Sequence, residues 1–116
     1  MKIVIAGCRD FADYDVAKEF ILRCLEETEG KITIISGGCS GADALGERFA
    51  KEYGLKTEIF PADWKTFGRS AGPIRNKQMA NECDMLIAFW DYKSKGTANM
   101  IHEAKKQNKI IHIKEI

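Results

Sequence analysis

The sequence predicts an α/β fold, a five-stranded parallel sheet flanked by four helices in three layers, and three observations carry that prediction. Five short runs rich in β-branched residues recur along the chain, amphipathic segments of helical period separate them, and glycine-rich or proline-containing turns fall between the two. Strands that alternate with helices return over the sheet by right-handed crossovers, so the strands run parallel and helices cover both faces.

The first strand is read at residues 2–6, where Ile3, Val4 and Ile5 follow one another. Val16, Phe20, Ile21, Cys24 and Leu25 then mark one face of a helix over 13–28. A second strand covers 32–35, and Leu45, Phe49 and Tyr53 set a second helix over 42–53. The third strand takes 56–60. A third helix starts near Ala71, because Pro73 suits a first helical turn and no later position, and it runs toward Cys83. The fourth strand is 85–90, the longest apolar run. The last helix starts near Lys95 or Gly96, carries Thr97, Ile101 and Ala104 on one face, and stops before Asn108; residues 109–113 are the final strand.

A Rossmann-like strand order of 3-2-1-4-5 is the expectation, with the flavodoxin-like order 2-1-3-4-5 as the other arrangement of the same alternation. Either order gathers the turns after the strands at one edge of the sheet, where backbone N–H groups and positive helix ends hold anions. Those turns contain Gly7-Cys8-Arg9-Asp10, Ser36-Gly37-Gly38-Cys39-Ser40-Gly41-Ala42-Asp43, Pro61-Ala62-Asp63-Trp64, Ala71-Gly72-Pro73-Ile74-Arg75-Asn76 and Ser94-Lys95-Gly96-Thr97. The pattern points to a phosphorylated small molecule.

Composition narrows the alternatives. Eighteen basic against seventeen acidic residues leave a net charge of +1, without the basic excess of a dedicated nucleic-acid binder. Cys8, Cys24, Cys39 and Cys83 form no Cys-x-x-Cys pair and only two histidines accompany them, so zinc spacing is absent and reduced thiols in a cytoplasmic protein are expected. No run approaches membrane-spanning length. At 116 residues, one compact domain over residues 1–116 is the working reading.

The glycine-rich turn after the second strand is the best candidate for an anion cradle. Backbone donors from Gly38 to Gly41, the dipole of the following helix and the hydroxyl of Ser36 or Ser40 are expected to face a phosphate there. The turn lacks the first glycine of the dinucleotide fingerprint, where Ser36 stands, and it has no Walker lysine. A plain strand-to-helix turn with Asp43 in the first turn of its helix is the competing structural account. Arg75 is expected to bind phosphate through its planar fork of donors, as is Arg9. Trp64 is a candidate for stacking on a base and Asp63 for accepting from a ribose hydroxyl, whereas Trp90 ends an apolar strand and reads as core.

Gly7-Cys8-Arg9-Asp10-Phe11, Gly37-Gly38-x-x-Gly41-Ala42-Asp43, Pro61-x-x-Trp64, Ala71-Gly72-x-x-Arg75-Asn76-x-x-Met79 and Gly96-Thr97 together resemble the YspA/cpYpsA-related branch of the SLOG superfamily, over nearly the whole chain. That superfamily includes the Lonely Guy phosphoribohydrolases and the DNA-processing protein A family. The resemblance implies a Rossmann-like domain that binds or senses a nucleotide or nucleotide-derived ligand. It assigns ligand roles to Gly37, Gly38, Gly41, Asp43, Gly96 and Thr97, and it implies a homodimer or higher homo-oligomer. Cys8 stands where the branch usually has serine.

Lonely Guy enzymes cleave the N-glycosidic bond of nucleoside 5′-monophosphates with the arginine of an Arg-Lys-x-x-Met motif and a glutamate after Gly-Thr. Here Arg75 and Met79 match, Asn76 replaces the lysine, and Ala98, Asn99 and Met100 follow Gly96-Thr97. An amide cannot act as an anionic base, so ligand binding is the leading expectation and hydrolysis the alternative. Arg75 and Glu103, the next acid along the chain, are the catalytic candidates for that alternative, with Asp10, Asp43, Asp63 and Asp91 as acids that other loops bring. His102, His112, Cys8 and Cys39 receive no catalytic role. No cofactor or metal is required by the motifs; Mg²⁺ is expected only beside a polyphosphate.

Overall fold

The computed structural model describes residues 1–116. Its sheet has the order β3-β2-β1-β4-β5 with every neighbouring pair parallel, which is the Rossmann-like 3-2-1-4-5 arrangement. The strands are β1 (Lys2–Gly7), β2 (Thr33–Ser36), β3 (Lys56–Ile59), β4 (Met85–Trp90) and β5 (Ile110–Glu115). The helices are α1 (Tyr14–Cys24), α2 (Ala42–Glu52), a one-turn α3 (Trp64–Phe67), α4 (Ala71–Glu82) and α5 (Lys95–Lys106). The four long helices flank the sheet as expected, and their starts fall within two residues of the sequence reading.

Period-two alternation along the central strands divides the core. Ile3 and Ile5 of β1, with Ile87 and Phe89 of β4, face α1 and α2, where Ala17, Ile21, Leu45 and Phe49 cover them. Val4 and Ala6, with Leu86 and Ala88, face α4 and α5 and meet Met79, Ala80, Met100 and Ile101. Both faces of β1 and β4 are thus buried, as continuous apolar strands of a parallel sheet require.

Most boundaries shift by one or two residues, and two features depart further from the sequence reading. Helix α1 ends at Cys24, four residues short of 28, and the chain continues in tight turns from Arg23 O to Glu26 N and from Leu25 O to Thr28 N. Glu26, Glu27 and Glu29 follow, and acids at the negative end of a helix oppose its extension. The segment read as irregular after β3 contains α3 and a 3₁₀ turn at Gly68–Ser70. Asp63 nucleates α3 by accepting a bond from Thr66 N at 3.1 Å.

Candidate functional site

A cleft of about 640 Å³ opens above the C-terminal ends of the strands. The order β3-β2-β1-β4-β5 reverses between β1 and β4, and the loops that leave those two strands diverge to opposite sides. Open α/β sheets place their ligand crevice at such a point. The loop after β1, the start of α2, the first half of α4 and the start of α5 form the walls.

Of the residues expected at the site, Gly7, Arg9, Asp43, Trp64, Arg75, Asn76, Gly96 and Thr97 line this cleft. Arg75 sits at its floor and is only 8 % exposed. Its Nη1 donates to Gly37 O at 2.7 Å and reaches Phe60 O at 3.5 Å, while Nε donates to Asn76 Oδ1 at 3.1 Å. The guanidinium is therefore clamped to the ends of β2 and β3, and none of the five salt bridges of the molecule uses it. Nη2 makes no hydrogen bond within the protein, and no side-chain polar atom is both sealed off and unpartnered, so Nη2 is open to the cleft.

Asp43, in the first turn of α2, is 6 % exposed. Burial pushes its carboxyl up to about 6, against the opposing pull of the bond from Cys39 N and the charges of Arg75 and Arg9. Cys39 N donates to Asp43 Oδ2 at 3.2 Å. Asn76 is fully engaged as well. Its Nδ2 donates to Gly96 O at 3.3 Å and to Asn99 Oδ1 at 2.9 Å, which ties α4 to the start of α5. Thr97 is buried, and its N and Oγ1 both donate to Ser94 Oγ, the cap of α5. Trp64 stands half exposed at the rim, beside Gly72.

The other expected residues lie outside the lining, and each has a structural occupation. Ser36 is wholly buried; its Oγ donates to Glu47 Oε2 at 2.7 Å and accepts from Gly38 N at 3.0 Å. Two amides of the anticipated cradle, Gly38 and Cys39, are thus already taken by Ser36 and Asp43. Gly37 lies against Arg75 and Asp43 so closely that a Cβ would collide with both. Gly41, at φ 74°, lets α2 begin directly over the Cys8 carbonyl, which accepts from Ala42 N at 3.1 Å. Ser40 Oγ donates to Arg9 O at 3.1 Å and joins the two loops. Asp63 caps α3 rather than facing the cleft. Glu103 is also away from it: buried on α5, it pairs with Lys106 at 3.1 Å.

Part of the wall consists of residues that the sequence reading named in its loops without assigning them to ligand binding. Asp91, Ser94, Lys95 and Asn99 belong to the lining, as do Cys8, Asp10 and Cys39. Asp91 Oδ1 accepts from the amides of Lys93 and Ser94, each at 2.8 Å, and these bonds hold its carboxyl below the usual range. An aspartate directly after β4, three residues before a capping serine, is the signal that was present. Burial pushes the Cys8 thiol up, which keeps it protonated and a poor nucleophile. No three His, Cys, Asp or Glu side chains converge to hold a metal ion, and no helix is long and apolar enough to cross a membrane.

Comparison with known proteins agrees with this architecture. The chain is similar to Gene 61 protein of Mycobacterium phage D29, at 28% identity over an alignment of 111 residues that covers 90% of this chain and 89% of the relative. Among solved structures it is similar to DNA processing protein A (DprA) from Streptococcus pneumoniae, with a TM-score of 0.77 and 17% identity, over 97% of this chain. The match takes in 49% of that structure, so the chain spans about half its length and shares its fold. The profile of the YspA, cpYpsA-related SLOG family matches residues 1–67, which include the first loop, the glycine-rich turn and Trp64. That match covers more than half of the sequence, and the chain belongs to the YspA, cpYpsA-related SLOG family.

Proposed function

We propose that the cleft binds a nucleotide or nucleotide-derived small molecule with its phosphate against Arg75, and that the protein acts as a binding or sensing domain for that ligand. The observation that carries this reading is the buried guanidinium with Nη2 open to the cleft and no carboxylate paired to it. Asp43 acts on this charge from beyond ion-pair distance and is itself partly protonated, so burial leaves the guanidinium short of a counterion, and a phosphate supplies one together with matched acceptors. The amides of Asp43 and Ala44 in the first turn of α2 make no hydrogen bond within the protein and add donors at a helix N-terminus. A volume of about 640 Å³ lies within the range of small-molecule sites.

Asp43 favours a second reading, hydrolysis of the N-glycosidic bond of a nucleoside 5′-monophosphate. A cleft carboxyl at about 6 is partly protonated near neutral pH. It would give its proton to the departing base as the C1′–N bond breaks, and water would add at C1′ and return a proton to the Asp43 carboxylate, to leave ribose 5-phosphate. Asp43 replaces Glu103 as the candidate acid, since Glu103 is outside the cleft. A role on DNA is not part of the reading: the net charge is +1, and Asp10, Asp43 and Asp91 share the cleft.

One screen tests both readings. Thermal shift against nucleoside mono-, di- and triphosphates, NAD and ADP-ribose, with and without Mg²⁺, is followed by chromatography of every well that shifts. A dose-dependent shift with intact ligand supports binding, and released base supports hydrolysis. No shift with any of them overturns both.

A further inference from the structure

We propose that Asp91 reads the cis-diol of the ligand's sugar, so that the cleft selects a ribosyl over a 2′-deoxyribosyl nucleotide. This inference rests on the reading of the cleft as a nucleotide site and names a determinant within it.

The two ends of the cleft differ in what they offer. At the β2 and β3 ends stands Arg75, a fixed donor. At the β4 end stands Asp91, an acceptor held with equal firmness, because Oδ1 takes the amides of both Lys93 and Ser94. No amide or hydroxyl donor of the protein reaches its other oxygen, Oδ2; the neighbouring Cys8 thiol, a weak donor, also interacts with the carboxylate, and since no polar side-chain atom is both sealed off and unpartnered, Oδ2 is open. The loop behind it is fixed in turn, with Trp90 Nε1 donating to Ser94 O at 3.0 Å and the Trp90 and Tyr92 rings packed at 4.4 Å.

The other two cleft acids are less suited to this task. Burial pushes the Asp43 carboxyl up to about 6, so it is partly protonated near neutral pH, and Asp10 is exposed with no hydrogen bond holding its carboxylate in place. A carboxylate only accepts hydrogen bonds when ionised, and its bonds from Ser94 and Lys93 keep Asp91 ionised well into the acid range. It repels phosphate and needs a donor. With the phosphate at Arg75 and the base toward Trp64 at the α4 rim, the part of a nucleotide left for the β4 end is the sugar. Its 2′ and 3′ hydroxyls are adjacent donors that one carboxylate engages together.

Titration calorimetry with AMP, GMP, CMP and UMP, each against its 2′-deoxy counterpart, tests the inference on the unaltered protein. The expected result is that the best-binding ribonucleotide loses roughly 10- to 100-fold in affinity without its 2′ hydroxyl, the range for a hydrogen bond to a charged group. Asp91→Asn keeps an oxygen for the Lys93 and Ser94 amides, so the loop is retained, and it is expected to weaken the ribonucleotide more than the deoxynucleotide, which loses only its 3′ contact, so that the ribo-to-deoxy ratio falls toward 1. Equal affinity for ribo and deoxy forms in the unaltered protein overturns the inference and leaves the nucleotide reading intact. Discrimination that persists in Asp91→Asn, or that follows the base instead of the sugar, overturns it as well. If no nucleotide in either series binds, the underlying reading fails first and the inference with it.

Discussion

The two loops that flank β1 at the switch point make opposite use of their polar groups. The glycine-rich turn after β2 turns them inward: Ser36 serves Glu47 and Gly38, Asp43 serves Cys39, and Ser40 serves Arg9. The loop after β4 spends Asp91 Oδ1 and Ser94 Oγ on its own backbone, yet Asp91, Lys95 and Asn99 still face the cleft. A conspicuous motif is therefore mainly the frame of the site, and a plainer segment supplies much of its wall. Close approach explains the difference, since glycines let the first turn collapse onto Arg75 and the β1 loop, and a collapsed turn satisfies its own donors.

The comparison breaks most visibly at Gly41. Ala at this position would need φ 74° and would drive a Cβ into the Cys8 carbonyl, so Gly41→Ala is expected to destabilise by at least about 3 kcal/mol in urea unfolding. A loss of ligand affinity with full stability would mean that the turn is a cradle and not a frame. Arg75→Ala comes next. Affinity for the best-binding nucleotide is expected to fall on the order of 100-fold by calorimetry, with Arg75→Lys between the two because a point charge lacks the fork.

Asp43 gives a smaller effect of opposite sign. Its folded value of about 6 lies above the ordinary 3.8, so the folded state holds the proton more tightly than the unfolded chain. This group's contribution therefore improves as pH falls from about 6 toward 4, and ionised Asp43 weighs against folding above that window. Asp43→Asn is expected to add about 2 kcal/mol at pH 8, somewhat less than the full difference converts to, and almost nothing at pH 4. Urea midpoints of both proteins across pH 4–8 check it; parallel curves would show that Asp43 is not raised. Trp64→Ala is the mildest change. Stability is expected to stay within about 0.5 kcal/mol for a half-exposed side chain, with affinity down roughly 5-fold, the low end for base–aromatic stacking.

The sheet and its four long helices were legible because their signals are local. Apolar runs, helical spacing, Pro73 in the first turn of α4 and a capping serine before α5 are all written within a few residues of where they act. The strand order was legible only as one of two, since periodicity is blind to which strands pair. Membership of the cleft was legible at the level of loops and less so at the level of atoms. Ser36, Asp63 and Glu103 were reasonable candidates by residue type, yet Glu47, Thr66 and Lys106 had already engaged them. Of these partners, Glu47 lies a full helix start away from Ser36, a contact that only the folded chain creates. Arg75 shows the converse: its residue type was informative, but its clamp on Gly37 and Phe60 depends on strands that lie far earlier in sequence.

Of the two tryptophans of the chain, Trp64 stands at the rim of this cleft and Trp90 lies outside its lining, anchored to the loop that carries Asp91. Excited near 295 nm, the protein emits from these two indoles alone. One is half in water and the other leans on a tyrosine, so quenching and spectral shift report the rim through Trp64 and the Asp91 loop through Trp90. The molecule thus carries an unlabelled optical gauge of occupancy, and stopped-flow emission can follow a ligand's arrival and departure without altering a single residue.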